Sequence, residues 1–208
     1  MIRYQTTFTL PTSQGTFPAE TFLDYWKNLD YKGPVTGLTT CTHWRNFTPN
    51  TGEGARLFVM QDEGSRYTGC HITLKRFHVN LYSRIEAEIK LPLETEVSMG
   101  MEVGGIWFPY SNRGRWIILD GKRKIPYKDD FHTYWIEFRK KWIVAGIDKK
   151  IVSWKKRTSY DKLLPSLFII VPENRKAGDY DGTSMYVKSF KVLDNLPLKN
   201  LIRMLWAI

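Results

Sequence analysis

The chain has 208 residues, 42% of them hydrophobic and 25% charged, which fits one globular domain with a buried core. No stretch approaches the roughly 20 apolar residues that cross a bilayer, so we expect no transmembrane segment. Two cysteines are too few for a disulfide scaffold, and the net charge of +10 favours anionic partners.

The positive charge is concentrated in the second half of the chain. Residues 1–112 contain 10 Lys and Arg against 11 Asp and Glu, whereas residues 113–208 contain 21 against 10. The basic runs are residues 122–124, 139–141 and 155–157. Dispersed basic residues are typical of a solvated surface, but they also attract nucleic acid, acidic glycans or a membrane surface. Nucleic acid is therefore a partner hypothesis, although no RNA- or DNA-binding motif is present.

Taken in chain order, the predicted elements are short strands separated by turn residues. We predict strands over residues 56–60, 71–78, 81–91, 115–119, 133–139, 142–147, 167–171 and 184–193. Short links between several of these runs favour antiparallel pairing, because a parallel crossover needs a dozen or more residues. The fold class is therefore an all-β antiparallel sandwich or jelly roll, in which a concave sheet is the usual working face.

Two of these strands show a clear two-residue alternation. Ile85, Ala87 and Ile89 share one face of their strand, and charged residues occupy the other. In residues 133–139, Tyr134, Ile136 and Phe138 alternate with Trp135, Glu137 and Arg139. Both strands are expected to bury one face.

The last residues follow a different period. In residues 196–208, apolar side chains recur at helical spacing, which predicts a short amphipathic helix after a domain spanning residues 1–195. The helix would pack on the domain or on a partner, including a second copy of the chain. Its proposed contact residues are Leu198, Leu201, Ile202 and Leu205.

Three groups of segments, in order, carry a family resemblance. They are YTGCHITLKRF at 67–77 with YSRIEAEIKLP at 82–92, FHTYWIEF at 131–138 with IDKK at 147–150, and MYVKSFKV at 185–192. Together they resemble the laminarinase-type β-glucanases of glycoside hydrolase family 16. That resemblance implies a concanavalin A-like jelly roll, derived from a glycoside hydrolase-like fold.

The same family places its catalytic carboxylates in a GEIDxxE strand, and the comparable segment here is GRWIILD at residues 114–120. Arg115 and Ile117 then replace two of the three carboxylates, and Asp120 alone remains. A guanidinium stays charged and cannot act as nucleophile or acid. We therefore expect no catalytic residue. Metal-ligand spacings and phosphate-binding glycine motifs are also missing, so no metal or cofactor is expected.

The leading hypothesis is a non-catalytic, lectin-like module, or pseudoenzyme, that binds a glycan or a protein. Aromatic side chains can stack on sugar rings while polar groups fix the hydroxyls. The candidate binding residues are Trp107, Tyr110, Asn112, Arg115, Trp116, Asp120 and Trp135.

Three alternatives remain open: a structural or assembly protein such as a viral or particle component, a basic nucleic-acid-binding domain, and a residual β-glucan hydrolase. The N-terminal residues do not resemble a signal peptide, which favours an intracellular or virion-associated location over secretion. The run Asn46-Phe47-Thr48 matches a glycosylation sequon, which would require a secretory route.

Overall fold

In the computed structural model, most of the described residues belong to β-strands. The described residues are 2–8, 26–28, 32–36, 39–49, 51–62, 66–92, 96–104, 106–108, 110–112, 115–117, 130–157, 163–172 and 178–194. The first strands are β1 (Ile2–Thr7), β2 (Trp26–Asn28), β3 (Lys32–Thr36), β4 (Thr39–Thr42), β5 (Phe47–Thr48), β6 (Ala55–Phe58), β7 (Met60–Gln61), β8 (Tyr67–Leu74) and β9 (Ser83–Lys90). They are followed by β10 (Ser98–Val103), β11 (Ile106–Phe108), β12 (Tyr110–Asn112), β13 (Arg115–Ile117), β14 (Phe131–Phe138), β15 (Trp142–Ile147), β16 (Lys150–Lys156), β17 (Pro165–Ile170) and β18 (Ser184–Asp194).

The strands form two large sheets and one small one. Sheet I has the order β16-β15-β14-β9-β18-β6-β5, with β1 also paired to β18. Sheet II has the order β11-β10-β17-β8-β4-β3, with β2 and β7 also paired to β8. Strands β12 and β13 pair with each other. All described pairs are antiparallel except β4 with β8, which is parallel. The predicted all-β antiparallel class is confirmed.

The core lies between the inner faces of the two large sheets. Ile85, Ala87 and Ile89 of β9 are at most 1% exposed, as their alternation predicts. Sheet II contributes apolar residues such as Met101 and Leu167 from the opposite side. Burying these side chains removes apolar surface from water, which is the main favourable term in folding.

Strand positions agree with the predictions more closely at some places than at others. The boundaries of β15 match the prediction, whereas β8 begins and ends four residues earlier than residues 71–78. The predicted strand at 56–60 divides into β6 and β7. Strands β2 to β5 and β10 to β12 were not predicted, because their sequences lack a clear alternation of apolar and polar residues. Strand β1 was not predicted either, although Ile2 and Tyr4 alternate with Arg3 and Gln5.

The described residues contain a single short 3-10 helix, Trp44–Asn46, and no helix long and apolar enough to span a membrane. The predicted helix at 196–208, with Leu198, Leu201, Ile202 and Leu205, lies outside the described residues, and so it stays a prediction. Both cysteines are free thiols, with Cys70 buried and Cys41 partly exposed.

The sequon at Asn46 does not suit a glycan in the folded protein. Asn46 is 0% exposed, and its Nδ2 donates hydrogen bonds to the Thr68 carbonyl oxygen at 2.7 Å and to Thr68 Oγ1 at 3.0 Å. A glycan on this nitrogen would have to replace both bonds and leave a buried site. The Asn46 side chain therefore has a structural role, because its hydrogen bonds connect the 3-10 helix to β8.

Candidate functional site

The outer face of sheet II, directed away from the core, gathers polar and aromatic side chains from separate strands. In β10, Met99, Met101 and Val103 belong to the core. Because side chains alternate along a strand, Glu102 points to the outer face. The register places Glu102 opposite both Ser166 of β17 and Trp107 of β11. These strands bring together residues that are far apart in the chain.

Two aromatic rings lie against each other on this face. The centroids of Trp107 and Phe168 are 4.8 Å apart, with an angle of 45° between the ring planes. Phe168 is only 2% exposed, whereas Trp107 is partly exposed. The His71 ring lies on the other side of Phe168, with its centroid at 6.4 Å. Phe168 therefore supports Trp107, and part of the indole is accessible to a ligand.

Polar groups lie next to the aromatic rings. His71 Nε2 is 3.3 Å from Glu102 Oε2, and both side chains are less than a fifth exposed. Thr73 Oγ1 and Ser166 Oγ form a buried hydrogen bond of 2.9 Å. A face of this kind offers an aromatic surface together with a carboxylate and an imidazole, which can accept and donate hydrogen bonds.

The described strands of sheet II contain one acidic residue. Canonical glycoside hydrolysis needs two carboxyl groups, one as acid and one as nucleophile or base. Glu102 is the single acidic residue in the described strands of sheet II. Those strands therefore supply one carboxyl group to this face, next to an aromatic ring and an imidazole.

Among the predicted binding residues, Trp107 and Trp135 lie on opposite sides of the sandwich. Trp135 belongs to β14 of sheet I and is 4% exposed. Its ring is covered by the Arg84 guanidinium at 4.1 Å, and its Nε1 donates to the Asp148 carbonyl oxygen at 2.9 Å. Trp135 and Trp107 are therefore not brought together, because β14 and β11 belong to different sheets and each indole lies on the outer face of its own sheet.

Four other candidates lie in the small β12–β13 hairpin. Tyr110 and Asn112 belong to β12, Arg115 and Trp116 to β13, and Asn112 pairs with Arg115 across the hairpin. In the described residues β13 pairs only with β12, so its backbone is hydrogen-bonded to neither large sheet. Asp120 lies outside the described residues.

Sequence reasoning missed His71, Glu102 and Phe168. The signal for His71 was available, since Gly69, His71 and Thr73 alternate with the apolar residues Cys70 and Ile72, although the strand is buried at every position except His71. Glu102 lies in a strand with little β-branched character, SMGMEV, that the sequence pattern did not reveal. In the described part of the chain, no three His, Cys, Asp or Glu residues are placed to hold a metal ion.

Neither the family models nor the curated proteins that were compared contain a match to this sequence. Solved structures do match. An endo-1,3-β-glucanase from Streptomyces sioyaensis has a TM-score of 0.69 at 12% identity, covering 92% of this chain and 95% of its own. The β-glucanase of Bacillus licheniformis has a TM-score of 0.65 at 12% identity, covering 92% of this chain and 98% of its own. This is the family 16 jelly-roll fold.

A third neighbour with the family 16 fold is termed a pseudo-β-1,3-glucanase and immunostimulatory antigen of Mycobacterium tuberculosis. It has a TM-score of 0.62 at 14% identity, covering 94% of this chain and 99% of its own. In the present chain, the family-like segments at 82–92, 131–138 and 185–192 fall on β9, β14 and β18, which are neighbours in sheet I. Most of the resemblance in sequence is thus carried by the sheet opposite the candidate site.

Proposed function

We propose that the protein is a non-catalytic glycan-binding module that binds a polysaccharide on the outer face of sheet II. Trp107 would stack on a sugar ring, and His71 and Glu102 would hydrogen-bond its hydroxyls. The observation that carries this proposal is the partly exposed Trp107, supported at 4.8 Å by the buried Phe168. An indole held in this way loses little side-chain freedom when it binds a flat apolar surface.

The choice of glycan comes from the structural neighbours. Two of them are named as glucanases, one of these as an endo-1,3-β-glucanase. We therefore propose a β-1,3-glucan as the ligand class. The proposal of binding without cleavage is supported by the single carboxylate in the described strands of sheet II.

The test is binding to laminarin, a soluble β-1,3-glucan, by titration calorimetry and affinity electrophoresis. Replacing a central aromatic contact costs about 2 kcal/mol or more, so Trp107→Ala is expected to weaken binding by at least about tenfold. Trp107→Phe retains a smaller stacking surface, so its affinity for laminarin should lie between those of the wild type and Trp107→Ala. Leu81→Ala removes an exposed apolar side chain elsewhere, 40% exposed, and should leave binding unchanged.

Glu102→Gln tests the polar part of the site in the same assay. The amide keeps the shape of the side chain but loses the charge beside His71, and we expect weaker laminarin binding. Glu53→Gln is the matched control, because Glu53 is an exposed carboxylate in the loop between β5 and β6, next to Lys90 of sheet I. Laminarin binding that is equal in wild type, Trp107→Ala and Glu102→Gln would refute the proposed site.

A further inference from the structure

The β15–β16 hairpin carries a second aromatic surface, on sheet I. Trp142, Ile151 and Trp154 are 45%, 52% and 53% exposed, although large apolar side chains are usually buried. We call these three residues, together with Val144 and Lys156, the hairpin patch. Strand β16 is the terminal strand of sheet I in the described residues.

The register places both indoles on one face. Ile143 and Ala145 of β15 point into the core, so Trp142 and Val144 point outward. Trp154 lies opposite Val144, and Lys156 lies opposite Trp142. The two tryptophans are therefore diagonal neighbours, a relation in which side chains are about 7–8 Å apart.

Two basic runs that are separate in the sequence meet beside this patch. The Arg157 backbone nitrogen donates to the Lys141 carbonyl oxygen at 3.0 Å, which places residues 139–141 next to residues 155–157. Lys149 and Lys150 lie at the turn at the opposite end of the hairpin. The patch thus has positive charge at both ends.

Most of this charge is not neutralised by neighbours in the described structure. Arg139 is paired with Glu137 at 2.5 Å. Among described residues, Lys140, Lys141, Lys155, Lys156 and Arg157 have no carboxylate oxygen within 4.0 Å. These groups are available for an anionic ligand.

We propose that the hairpin patch binds single-stranded nucleic acid. Trp142 and Trp154 would each stack on one base, and the basic runs would contact phosphates on either side. Proteins that bind single strands combine basic surfaces with aromatic platforms, and an open sheet face is one arrangement that presents them. Stacking requires unpaired bases, because the bases of a duplex are covered by their neighbours.

A lipid surface fits this patch less well. The indoles lie within the sheet rather than on a protruding loop, and Glu137 occupies the same cross-strand row as Val144 and Trp154. A bilayer lying on this face would cover that carboxylate and the Arg84 and Arg139 side chains near it, which is costly. A single nucleic-acid strand is narrow enough to follow the hairpin alone.

The test is fluorescence anisotropy with a fluorescein-labelled oligothymidylate of 20 nucleotides. Each stacked base contributes about 1–3 kcal/mol, so we expect Trp142→Ala combined with Trp154→Ala to weaken binding by at least about tenfold. The corresponding pair of Trp→Phe changes should restore most of the affinity. A 20-base-pair duplex should bind at least about tenfold more weakly than the single strand.

The charge requirement is tested with Lys140→Glu combined with Lys156→Glu. Binding should weaken, and its dependence on salt should become shallower because fewer counterions are released. Lys75→Glu with Arg76→Glu changes the net charge equally at exposed positions outside the patch and should have a much smaller effect. Thermal unfolding of every variant checks that the fold is intact.

Three outcomes would overturn the proposal: no binding of the oligonucleotide at low salt, equal affinity of wild type and the double Trp→Ala variant, or equal affinity for duplex and single strand. Sedimentation with vesicles containing phosphatidylserine tests whether the patch binds a membrane surface instead. Vesicle binding that requires Trp142 and Trp154, without oligonucleotide binding, would assign the patch to a membrane instead.

Discussion

At the residue scale, Trp107 and Trp135 show how one residue type acquires different roles. Both lie on outer sheet faces, but Trp107 packs against Phe168 and stays partly exposed, whereas Trp135 is enclosed. Arg84 covers Trp135, and Gly146 of the neighbouring strand lies against its ring. Trp135 is thus a packing residue of sheet I. A glycine is required at position 146 because any side chain there would collide with the Trp135 ring.

Gly146→Ala is expected to destabilise the protein, because a Cβ at this position would overlap the six-membered ring of Trp135 and approach the Lys150 carbonyl oxygen. Overpacking of this kind costs about 1–3 kcal/mol, which urea unfolding would measure. Gly178→Ala is the matched control, since a Cβ there is 3.3 Å from the Tyr180 side chain and meets no backbone. Equal midpoints for the two variants would contradict the packing role assigned to Trp135.

At the element scale, β9 is the strand on which sheet I depends most. It pairs with β14 on one side and β18 on the other, and its inner residues are fully buried. Its outer residues form charge pairs, such as Arg84 with Glu86 at 2.7 Å. Because the cost of removing charges from water offsets much of the attraction in a partly buried ion pair, the apolar inner face provides most of its stabilisation.

Ile89→Ala should therefore lower the free energy of unfolding by about 2–5 kcal/mol, the usual cost of removing a buried branched side chain. Ile151→Ala makes the same chemical change at a residue that is 52% exposed in β16, and we expect less than about 0.5 kcal/mol there. Both values come from chemical denaturation. A similar loss of unfolding free energy in both variants would mean that the burial of Ile89 does not determine its contribution to stability.

At the scale of the whole molecule, the jelly roll separates two faces with different chemistry. Sheet II has the Trp107 site with one carboxylate, and sheet I has the hairpin patch with its basic runs. The two proposed surfaces lie on different sheets, so each can be altered without direct change to the other. The fold itself is shared with glucanases at only 12–14% identity, so it does not by itself decide the activity.

We expect no hydrolysis of laminarin or lichenan, measured as new reducing ends, over incubations in which the Bacillus licheniformis β-glucanase digests its substrate fully. The physical reason is that the described strands of sheet II contain no second carboxyl group to act together with Glu102. Release of reducing sugar that disappears in Glu102→Gln would contradict this expectation and would identify that carboxylate as catalytic.

Much of the fold could be predicted from the sequence. The alternation in β9 and β14 correctly predicted which residues face the core, because a strand directs successive side chains to opposite faces whatever its neighbours are. It did not predict the burial of Trp135 on the outer face of β14. The family-like segments also indicated the jelly roll. Prediction was poorer for β8 and β10, where small, polar and unbranched residues weaken the period-two pattern.

The candidate site was predicted only through Trp107. The pairing of β8, β17, β10 and β11 brings together residues 71, 102, 107 and 168. The β15–β16 hairpin likewise brings together the basic runs at 139–141 and 155–157. Local sequence determined which residues of each strand face the core, since that depends on backbone geometry alone. Tertiary structure decided which strands share a sheet, because pairing is chosen by the burial of the whole core, and this put Trp107 and Trp135 on opposite sides.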